Sequence, residues 1–396
     1  MMKIACGLLV WFISTLFVIY AFCLNTAAAV FSSAIKTSLQ FTDLEVSYAV
    51  GAFIAGFALM QIPAGYLLDR FNTKLVVGFG VLLLALGNIL ISYADSLALF
   101  SFSNFIQGMG GSFAFIATAV LVSNWFSAQM FPILFGLTQT LSCVLAGIIH
   151  YAFMRELITH PWNVLYKYLA LFGLILFVLT LLIVRSPNAE KVVEPLSLGS
   201  TLKKVCGNGQ LWLCAIAAAT SFGVLLAYAG FWYMDIEKFY AVSKDRAFIL
   251  SAIIFTGIGI GTPLLGYVSN LLKSRKLVIH VTVVLGTMAL LLGIYLPHYN
   301  FNNLILINIV SFLIGFFLSG SMLIYTIVSE ISTDNTRGFA LSVTNTFVFL
   351  FNTLLMFLPY WFITKLSQNF FTYLWVLPFS VLISILLLYF IKESYR

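Results

Sequence analysis

Long apolar runs follow one another along almost the whole of this sequence, from residue 5 to residue 391. Each run is about 20 residues long, which is the length of α-helix that crosses the hydrocarbon core of a bilayer. Most runs continue past about 18 residues without alternating polar and apolar side chains, so they do not resemble the strands of a membrane barrel. The runs therefore predict an all-α integral membrane protein.

The runs predict twelve membrane-spanning helices separated by short polar connections. Hydrophobic residues make up 62% of the 396-residue chain and charged residues 8%, whereas soluble proteins have about 45–50% and about 25%. This composition excludes an ordinary water-soluble enzyme, a disordered protein and a nucleic-acid-binding protein. The predicted spans are residues 5–30, 46–68, 75–94, 98–124, 132–153, 164–185, 210–234, 246–271, 277–296, 304–328, 338–361 and 371–391.

The first apolar run has a second interpretation. Lys3, the apolar residues after it and the three alanines at 27–29 resemble a secretory signal with its cleavage site. The run is longer than the apolar core of a typical signal, and its removal would leave eleven spans. A membrane-spanning helix is therefore the favoured interpretation.

The distribution of Lys and Arg predicts how the spans are oriented. If the N-terminus is cytoplasmic, 13 of the 20 Lys and Arg residues lie on the cytoplasmic side and 7 on the other side. Cytoplasmic connections are enriched in these residues. We therefore expect a multi-pass protein of the plasma membrane (the inner membrane in a bacterium) with both termini cytoplasmic.

A repeat relates the two halves of the chain at an offset of about 200 residues. Residues 63–70 at the end of span two and residues 263–270 at the end of span eight each contain Pro and a Gly-Tyr pair, and Lys-Leu-Val follows each. Two similar bundles of this kind are typical of transporters that bind their substrate near the membrane midplane. The predicted parts are an N-terminal six-helix bundle (1–185), a cytoplasmic linker (186–209) and a pseudo-symmetric C-terminal six-helix bundle (210–396).

Several of these segments resemble those of one transporter family. Residues 65–74, which read Gly-x-x-x-Asp-Arg-x-x-x-Lys, resemble the signature loop between spans two and three of the major facilitator superfamily (MFS). Residues 107–110 (Gln-Gly-Met-Gly) resemble that family's span-four segment, with Asn104 where arginine is common. The combination of residues 60–65 with Ser-Asn-Trp-Phe at 123–126 is similar to bacterial solute carriers of the phagosomal-transporter kind.

The resemblance implies a conformational lock on the cytoplasmic face. Gly65 would let another helix approach closely, and the Asp69 carboxylate would face the positive N-terminal end of span eleven. Plain positive-inside topology with an incidental Asp is the alternative interpretation. The residues assigned to the lock are Gly65, Asp69, Arg70, Lys74 and Arg337.

The cations of the signature loop are expected to hold nearby carboxylates. The candidate partners of Arg70 and Lys74 are Glu330 and Asp334. The second copy of the signature has Asn270 at the place of Asp69, so its lock is expected to be weaker.

Every acid, Lys and Arg of the sequence falls at a predicted span end or in a connection. An ionised group in the membrane interior is costly and marks function, so this distribution predicts a polar but uncharged cavity. Such a cavity suits a neutral or zwitterionic solute.

The candidates for substrate binding are neutral polar and aromatic residues of spans that the resemblance places around the cavity. Amides offer donors and acceptors without charge, and aromatic faces offer stacking. Buried amides also join neighbouring helices, and Trp232 fits an interfacial aromatic belt. The candidates are Asn25, Asn104, Gln107, Gln139, Tyr228, Trp232, Tyr325 and Asn345.

Proton coupling has two weak candidates. His150 is the histidine inside a predicted span, and Asp235 lies near the outer end of span seven. The alternative interpretations are that His150 is an interfacial histidine without a role in transport and that Asp235 is an ordinary loop residue. Because the sequence offers no metal-ligand spacing, nucleophile–base pair or phosphate loop, we expect neither an enzyme nor a cofactor.

The sequence as a whole predicts a secondary-active or facilitative transporter that works by alternating access. The favoured cargo is an amino acid, followed by a nucleoside, and uptake is favoured over export. The expected partners are a small-molecule substrate and the lipid bilayer, together with a co-transported proton if transport is proton-coupled. We expect a monomer that does not bind nucleic acid. The alternatives are a drug or siderophore-type exporter and a membrane sensor that does not transport.

Overall fold

A computed structural model describes residues 2–185, 187, 197–230, 243–298, 303–364 and 374–395. The described residues form helices joined by short connections, with no strand among them. The helices are α1 (Met2–Leu39), α2 (Asp43–Arg70), α3 (Thr73–Ser92), α4 (Leu97–Trp125), α5 (Phe131–Glu156), α6 (Trp162–Ile183), α7 (Leu198–Cys206), α8 (Gly209–Gly230), α9 (Lys244–Leu271), α10 (Arg275–His298), α11 (Leu304–Ile331), α12 (Arg337–Thr364) and α13 (Val376–Phe390).

The predicted twelve-helix fold is confirmed. In the described part of the chain, 11 helices are long and apolar enough to cross a membrane, and α13 is a shorter apolar helix of 15 residues. Spans one to six correspond to α1–α6 and spans seven to twelve to α8–α13, while α7 is a short helix within the predicted linker. α1 continues beyond its predicted end at residue 30, up to the turn where Gln40 adopts a φ of 55°.

Local polar residues determine where several helices begin. Thr42 and Glu45 form a capping box at α2, in which the Thr42 N–H donates to Glu45 Oε2 at 2.8 Å. Asn72, Ser96 and Asn303 accept backbone N–H bonds at the starts of α3, α4 and α11. Because these side chains satisfy amides that have no partner within the helix, the helix starts follow directly from the sequence.

The chain divides into two compact units. One contains Met1–Ser127, Leu141–Thr201 and Asp334–Ser342. The other contains Ala128–Thr140, Leu202–Thr333 and Val343–Arg396. The start of α5 therefore belongs with the later helices and the start of α12 with the earlier ones.

The same packing pattern occurs in both units. In the first unit α2 packs on α4, α3 packs on α4 and α6, and α1 packs on α4 and α6. In the second unit α9 packs on α11, α10 on α11 and α13, and α8 on α11 and α13. Each pair in one set has its counterpart in the other, so the repeat seen in the sequence is a repeat of structure.

Glycines allow α2 and α4 to pack with their backbones in contact. A Cβ at Gly56 of α2 would overlap the carbonyl oxygen of Phe105, and one at Gly108 of α4 would overlap the carbonyl oxygen of Phe53. Side-chain-free contacts of this kind are a common basis of helix association in membranes.

In the second unit, glycines allow α9 and α11 to pack in the same way. A Cβ at Gly257 of α9 would overlap the carbonyl oxygen of Phe312, and one at Gly315 of α11 would overlap that of Ile254. Both units thus depend on a reciprocal pair of glycines at the corresponding helix crossing.

Substitution of these glycines is expected to destabilise the protein. In Gly56→Ala the new methyl group meets the α4 backbone, which we expect to cost about 1–3 kcal/mol through overpacking and to lower the Tm in detergent. Gly51→Ala is the matched control, since a Cβ at this position of the same helix meets nothing within 4 Å. Equal thermal unfolding curves for the two variants would contradict the role assigned to the crossing.

Candidate functional site

The carboxylate of Asp69 binds the start of α12. Its two oxygens accept the N–H groups of Gly338, at 2.7 Å, and of Phe339, at 2.8 Å. α12 begins at Arg337, so both amides belong to the first turn and have no partner within the helix. The positive end of the helix dipole also favours an anion at this place. This is the geometry that the family resemblance implied for Asp69.

Two glycines bring α2 and α12 close enough for this contact. A Cβ at Gly65, one turn before Asp69, would lie 2.5 Å from the carbonyl oxygen of Gly338. A Cβ at Gly338 would lie 2.8 Å from the carbonyl oxygen of Gly65. Any larger residue at either position would push the helix ends apart and lengthen the bonds to Asp69.

The Arg70 side chain binds within its own loop, and Lys74 contributes its backbone N–H to the cap of the next helix. Arg70 Nη1 donates to the Tyr66 hydroxyl at 2.5 Å, and its guanidinium lies over the rings of Tyr66 and Phe71 at 5.7 and 5.9 Å. The Lys74 N–H donates to the Asn72 side chain at 3.0 Å as part of the α3 cap.

The two acids that the sequence assigned to these cations have other partners. Asp334 pairs with Arg337 at 3.0 Å; the Asp334 side chain is 60% exposed, and solvent screening weakens such a pair. Glu330 pairs with Arg275 Nη2 at 3.1 Å, and only 8% of its side chain is exposed. The expected pairing with Arg70 and Lys74 is therefore corrected for both carboxylates, because each forms an ion pair with a different cation.

Arg275 is the residue that sequence reasoning missed. Its side chain is 1% exposed. Its Nη1 donates to Ser269 Oγ at 2.6 Å and to Asn270 Oδ1 at 2.7 Å. Its Nη2 donates to Glu330 and also to the carbonyl oxygen of Ala128 at 3.1 Å. In the sequence this arginine is one of several cations in a short connection, and no spacing links it to Glu330.

The second copy of the signature therefore works differently from the first. Asn270 stands at the place of Asp69, and its Nδ2 donates to the carbonyl oxygen of Gln129, just before α5. A bond from the Asn270 side-chain amide to a backbone carbonyl thus replaces the bonds from backbone amides to a carboxylate. The charged groups at the second loop are instead those of the buried Arg275–Glu330 pair. The expectation of a weaker second lock considered Asn270 alone and did not include this pair.

α5 and α9 are also packed backbone to backbone near this loop. A Cβ at Gly136 would lie 2.7 Å from the nitrogen of Pro263, and one at Gly266 would lie 2.9 Å from the carbonyl oxygen of Pro132. The Thr262 hydroxyl donates to the Gly136 carbonyl at 3.1 Å. This contact corresponds to that between α2 and α12 in the first unit.

Two of the predicted substrate-binding residues form a buried neutral pair. The Tyr325 hydroxyl donates to Asn345 Oδ1 at 2.8 Å, and both residues are 1% exposed. The Tyr325 ring contacts Phe135 and Phe222, with centroids 5.8 and 6.4 Å away. Phe222 lies in a π-helical turn of α8, Ala219–Gly223, a local irregularity that is frequent at functional sites.

Gln107 lies in a chain of bonds between helices. Its Nε2 donates to Asn88 Oδ1 at 3.0 Å, and Asn88 Nδ2 donates to the Tyr20 hydroxyl at 2.7 Å. The Tyr20 hydroxyl donates to the carbonyl oxygen of Leu169 at 2.8 Å. The chain joins α4, α3, α1 and α6, so this geometry favours the structural alternative for Gln107.

The other amide and tyrosine candidates are spread over the two units. Asn104 is buried, and its Nδ2 donates within its own helix to the Phe100 carbonyl at 2.8 Å. Gln139 and Tyr228 are buried, whereas Asn25 is exposed.

Of the proton-coupling candidates, His150 is half-buried, with Nε2 3.4 Å from the carbonyl oxygen of Cys23. Asp235 and the substrate candidate Trp232 lie in 231–242, outside the described residues. Among the residues that the structure describes, no group of three His, Cys, Asp or Glu side chains is placed to hold a metal ion.

The charged residues of the described ranges lie near helix ends or between helices. Each is in a connection or within about two turns of a helix end. The described middle parts of the spanning helices therefore carry only neutral side chains.

A family model described as Major Facilitator Superfamily matches residues 13–244, more than half of the chain. The chain belongs to the Major Facilitator Superfamily. Members of this superfamily are membrane transporters and not enzymes, so the fold and the paired signature loops belong to a multi-pass transporter.

Known structures share the fold over nearly the whole chain. The proton:xylose symporter XylE has a TM-score of 0.74 at 14% identity, covering 99% of this chain and 97% of that one. The Escherichia coli fucose:proton symporter FucP has a TM-score of 0.71 at 15% identity, covering 96% and 99%.

Curated relatives match over a shorter region. The multidrug resistance protein MdtL of Shewanella oneidensis is 24% identical over 156 residues, and that of an Escherichia coli strain is 26% identical over 155 residues. The matched region covers 39% of the length of each relative.

Neutralising Asp69 is expected to loosen the start of α12. Asp69→Asn keeps the shape of the side chain but removes the charge and one of the two acceptors. We expect the Gly338 and Phe339 amides to exchange with deuterium about tenfold faster, as for the loss of about 1.4 kcal/mol of charge-assisted hydrogen bonding. The readout is hydrogen-exchange mass spectrometry of the peptide that begins α12.

Asp95→Asn is the control for this experiment, since it removes the same charge from an exposed carboxylate in the connection between α3 and α4. Equal exchange at the start of α12 in both variants would show that the Asp69 charge does not hold this helix end.

Proposed function

We propose that this chain moves a small neutral or zwitterionic organic solute by alternating access, with an amino acid favoured and a nucleoside next, in the direction of uptake. The observation that carries the proposal is the uncharged middle of the described helices. A fixed charge there would be costly and would mark a charged cargo. Uniport and proton coupling are both compatible with this interior.

The contacts at the two signature loops support the alternating-access part of the proposal. Asp69 with α12 and Gly136 with Pro263 both join helices from different halves of the sequence. Positive-inside topology assigns these helix ends to the cytoplasmic side. The described contacts would then hold the cytoplasmic ends together, and release of substrate inward would require that they separate.

The Tyr325–Asn345 pair is the best supported substrate-binding element. Its hydroxyl and amide are neutral donors and acceptors that already face each other in a buried position. The rings of Phe135 and Phe222, from two other helices, contact the Tyr325 ring. A polar, uncharged part of a solute could exchange hydrogen bonds with this pair at little electrostatic cost.

A ligand screen tests the proposed cargo. The purified protein is heated with amino acids, nucleosides, sugars or organic acids, and compounds that raise the Tm are then tested as labelled solutes in proteoliposomes. A ligand at 100 times its Kd stabilises the native state by about 2.7 kcal/mol, which is a readily measured shift. Stabilisation by strong dianions alone would contradict a neutral cargo, and binding without flux would indicate a sensor.

Removal of the Tyr325 hydroxyl is expected to weaken transport of the cargo found in that screen. In Tyr325→Phe one hydrogen bond of the pair is lost, so we expect KM to rise about 3- to 10-fold at similar kcat. Tyr166→Phe is the control, because Tyr166 is equally buried among aromatic rings of the other unit. An unchanged KM in Tyr325→Phe would remove this pair from the substrate site.

Export of toxic compounds is the second candidate function, because curated relatives that match part of this chain include multidrug resistance proteins. An exporter would protect cells against a panel of toxic compounds when overexpressed. A carrier of one nutrient would instead support uptake of that nutrient and give no such protection.

A further inference from the structure

The segment 391–395, which follows α13, caps a helix from another part of the chain. Glu393 Oε1 accepts the N–H of Arg275 at 3.0 Å, and Oε2 accepts that of Lys276 at 3.1 Å. The Ser274 hydroxyl also donates to this carboxylate. Since α10 begins at Arg275, Glu393 satisfies the first amides of α10 and lies at the positive end of its dipole.

The next two residues cover the buried ion pair. The Ser394 hydroxyl donates to Glu330 Oε2 at 2.5 Å. The Arg275 guanidinium lies over the Tyr395 ring, with Cζ 4.8 Å from the ring centroid. Ser394 is 8% exposed. Both members of the pair are therefore in direct contact with this segment.

The surroundings of Glu393 keep it ionised. Partial burial acts to raise the pKa of its carboxyl, but the hydrogen bonds from Ser274 and from the backbone N–H groups of Tyr395, Arg275 and Lys276 together lower the pKa below its ordinary value. The charged form is thus the one that the start of α10 binds.

The segment is also attached to the start of α8. Gln210 Nε2 donates to the carbonyl oxygen of Phe390 at 3.1 Å, and the Lys392 N–H donates to Gln210 Oε1 at 2.8 Å. The segment therefore connects α8, α10 and α11. It does so beside Arg275, which also binds the carbonyl oxygen of Ala128 before α5.

We propose that residues 391–395 form a clasp that keeps the Arg275–Glu330 pair in place, and that release of the clasp precedes separation of α5 from α9. The part that concerns separation rests on the proposed alternating access. Glu393 acts as a positioning residue: it holds the start of α10, and through it Arg275, without contact to any solute. The clasp is distinct from the signature loop itself, because none of its residues belongs to either copy.

The first measurement tests the clasp contacts without any transport assay. In Glu393→Gln the charge is lost while size is kept, and we expect the Arg275 and Lys276 amides to exchange with deuterium about tenfold faster, as for the loss of about one charge-assisted hydrogen bond. Lys392→Gln is the matched control, because Lys392 is the exposed neighbour whose bond to Gln210 is made by its backbone. Unchanged exchange in Glu393→Gln would overturn the clasp.

The second measurement tests the effect of the clasp on helix separation. Thr262 is 4% exposed and bonds to Gly136 across the α5–α9 contact. In a cysteine-free background carrying Thr262→Cys, a water-soluble maleimide labels this position only when the contact opens. We expect labelling to be about 3- to 10-fold faster with Glu393→Gln than with Lys392→Gln, in proportion to the open population. Equal labelling rates would overturn the proposed control of separation.

The two measurements separate failure of this inference from failure of the proposed function. Faster exchange and faster labelling support the clasp even if no solute of the screen is transported. If a solute is transported but labelling is unchanged in Glu393→Gln, the proposed transport function stands and the proposed effect of the clasp on helix separation is rejected. Ser394→Ala, which removes only the bond to Glu330, is expected to give an intermediate labelling rate.

Discussion

The cost of placing a charge in hydrocarbon governs the arrangement of this protein. Ionised side chains in the described residues lie at helix ends or in connections, where water, helix dipoles or opposite charges stabilise them. At these same places helices from different parts of the chain meet. The charges therefore bind helix ends, while the described middle of each helix carries neutral side chains, as the proposed neutral or zwitterionic cargo requires.

The two signature loops satisfy this constraint with different chemistry. In the first, the Asp69 carboxylate accepts the first amides of α12, at the positive end of the helix dipole. In the second, the cation Arg275 binds backbone carbonyl and side-chain acceptors, and Glu330 neutralises it. A buried ion pair loses much more when one partner is removed than an exposed pair does. The residues at 393–395 lie against both members of this buried pair.

Close backbone packing makes both contacts geometrically accessible. The reciprocal glycine pairs of α2 with α4 and of α9 with α11 hold each unit together, and glycines at 65, 136, 266 and 338 let helix ends approach within hydrogen-bonding distance. Contacts between backbones involve few rotamer changes, so helices can separate and rejoin along them without repacking of large side chains. This property suits a transporter that alternates between two arrangements.

The sequence by itself determined the number of spans, the neutral interior and several helix starts, because apolar run length and capping residues act within one helix. The resemblance of residues 65–74 to the family signature also indicated the contact between Asp69 and α12. The tertiary structure alone decided that Glu330 pairs with Arg275, that Tyr325 meets Asn345, and that Gln107 joins helices through Asn88. These partners are far apart in the chain, and helical periodicity carries no information about which of several neutral or charged faces will meet.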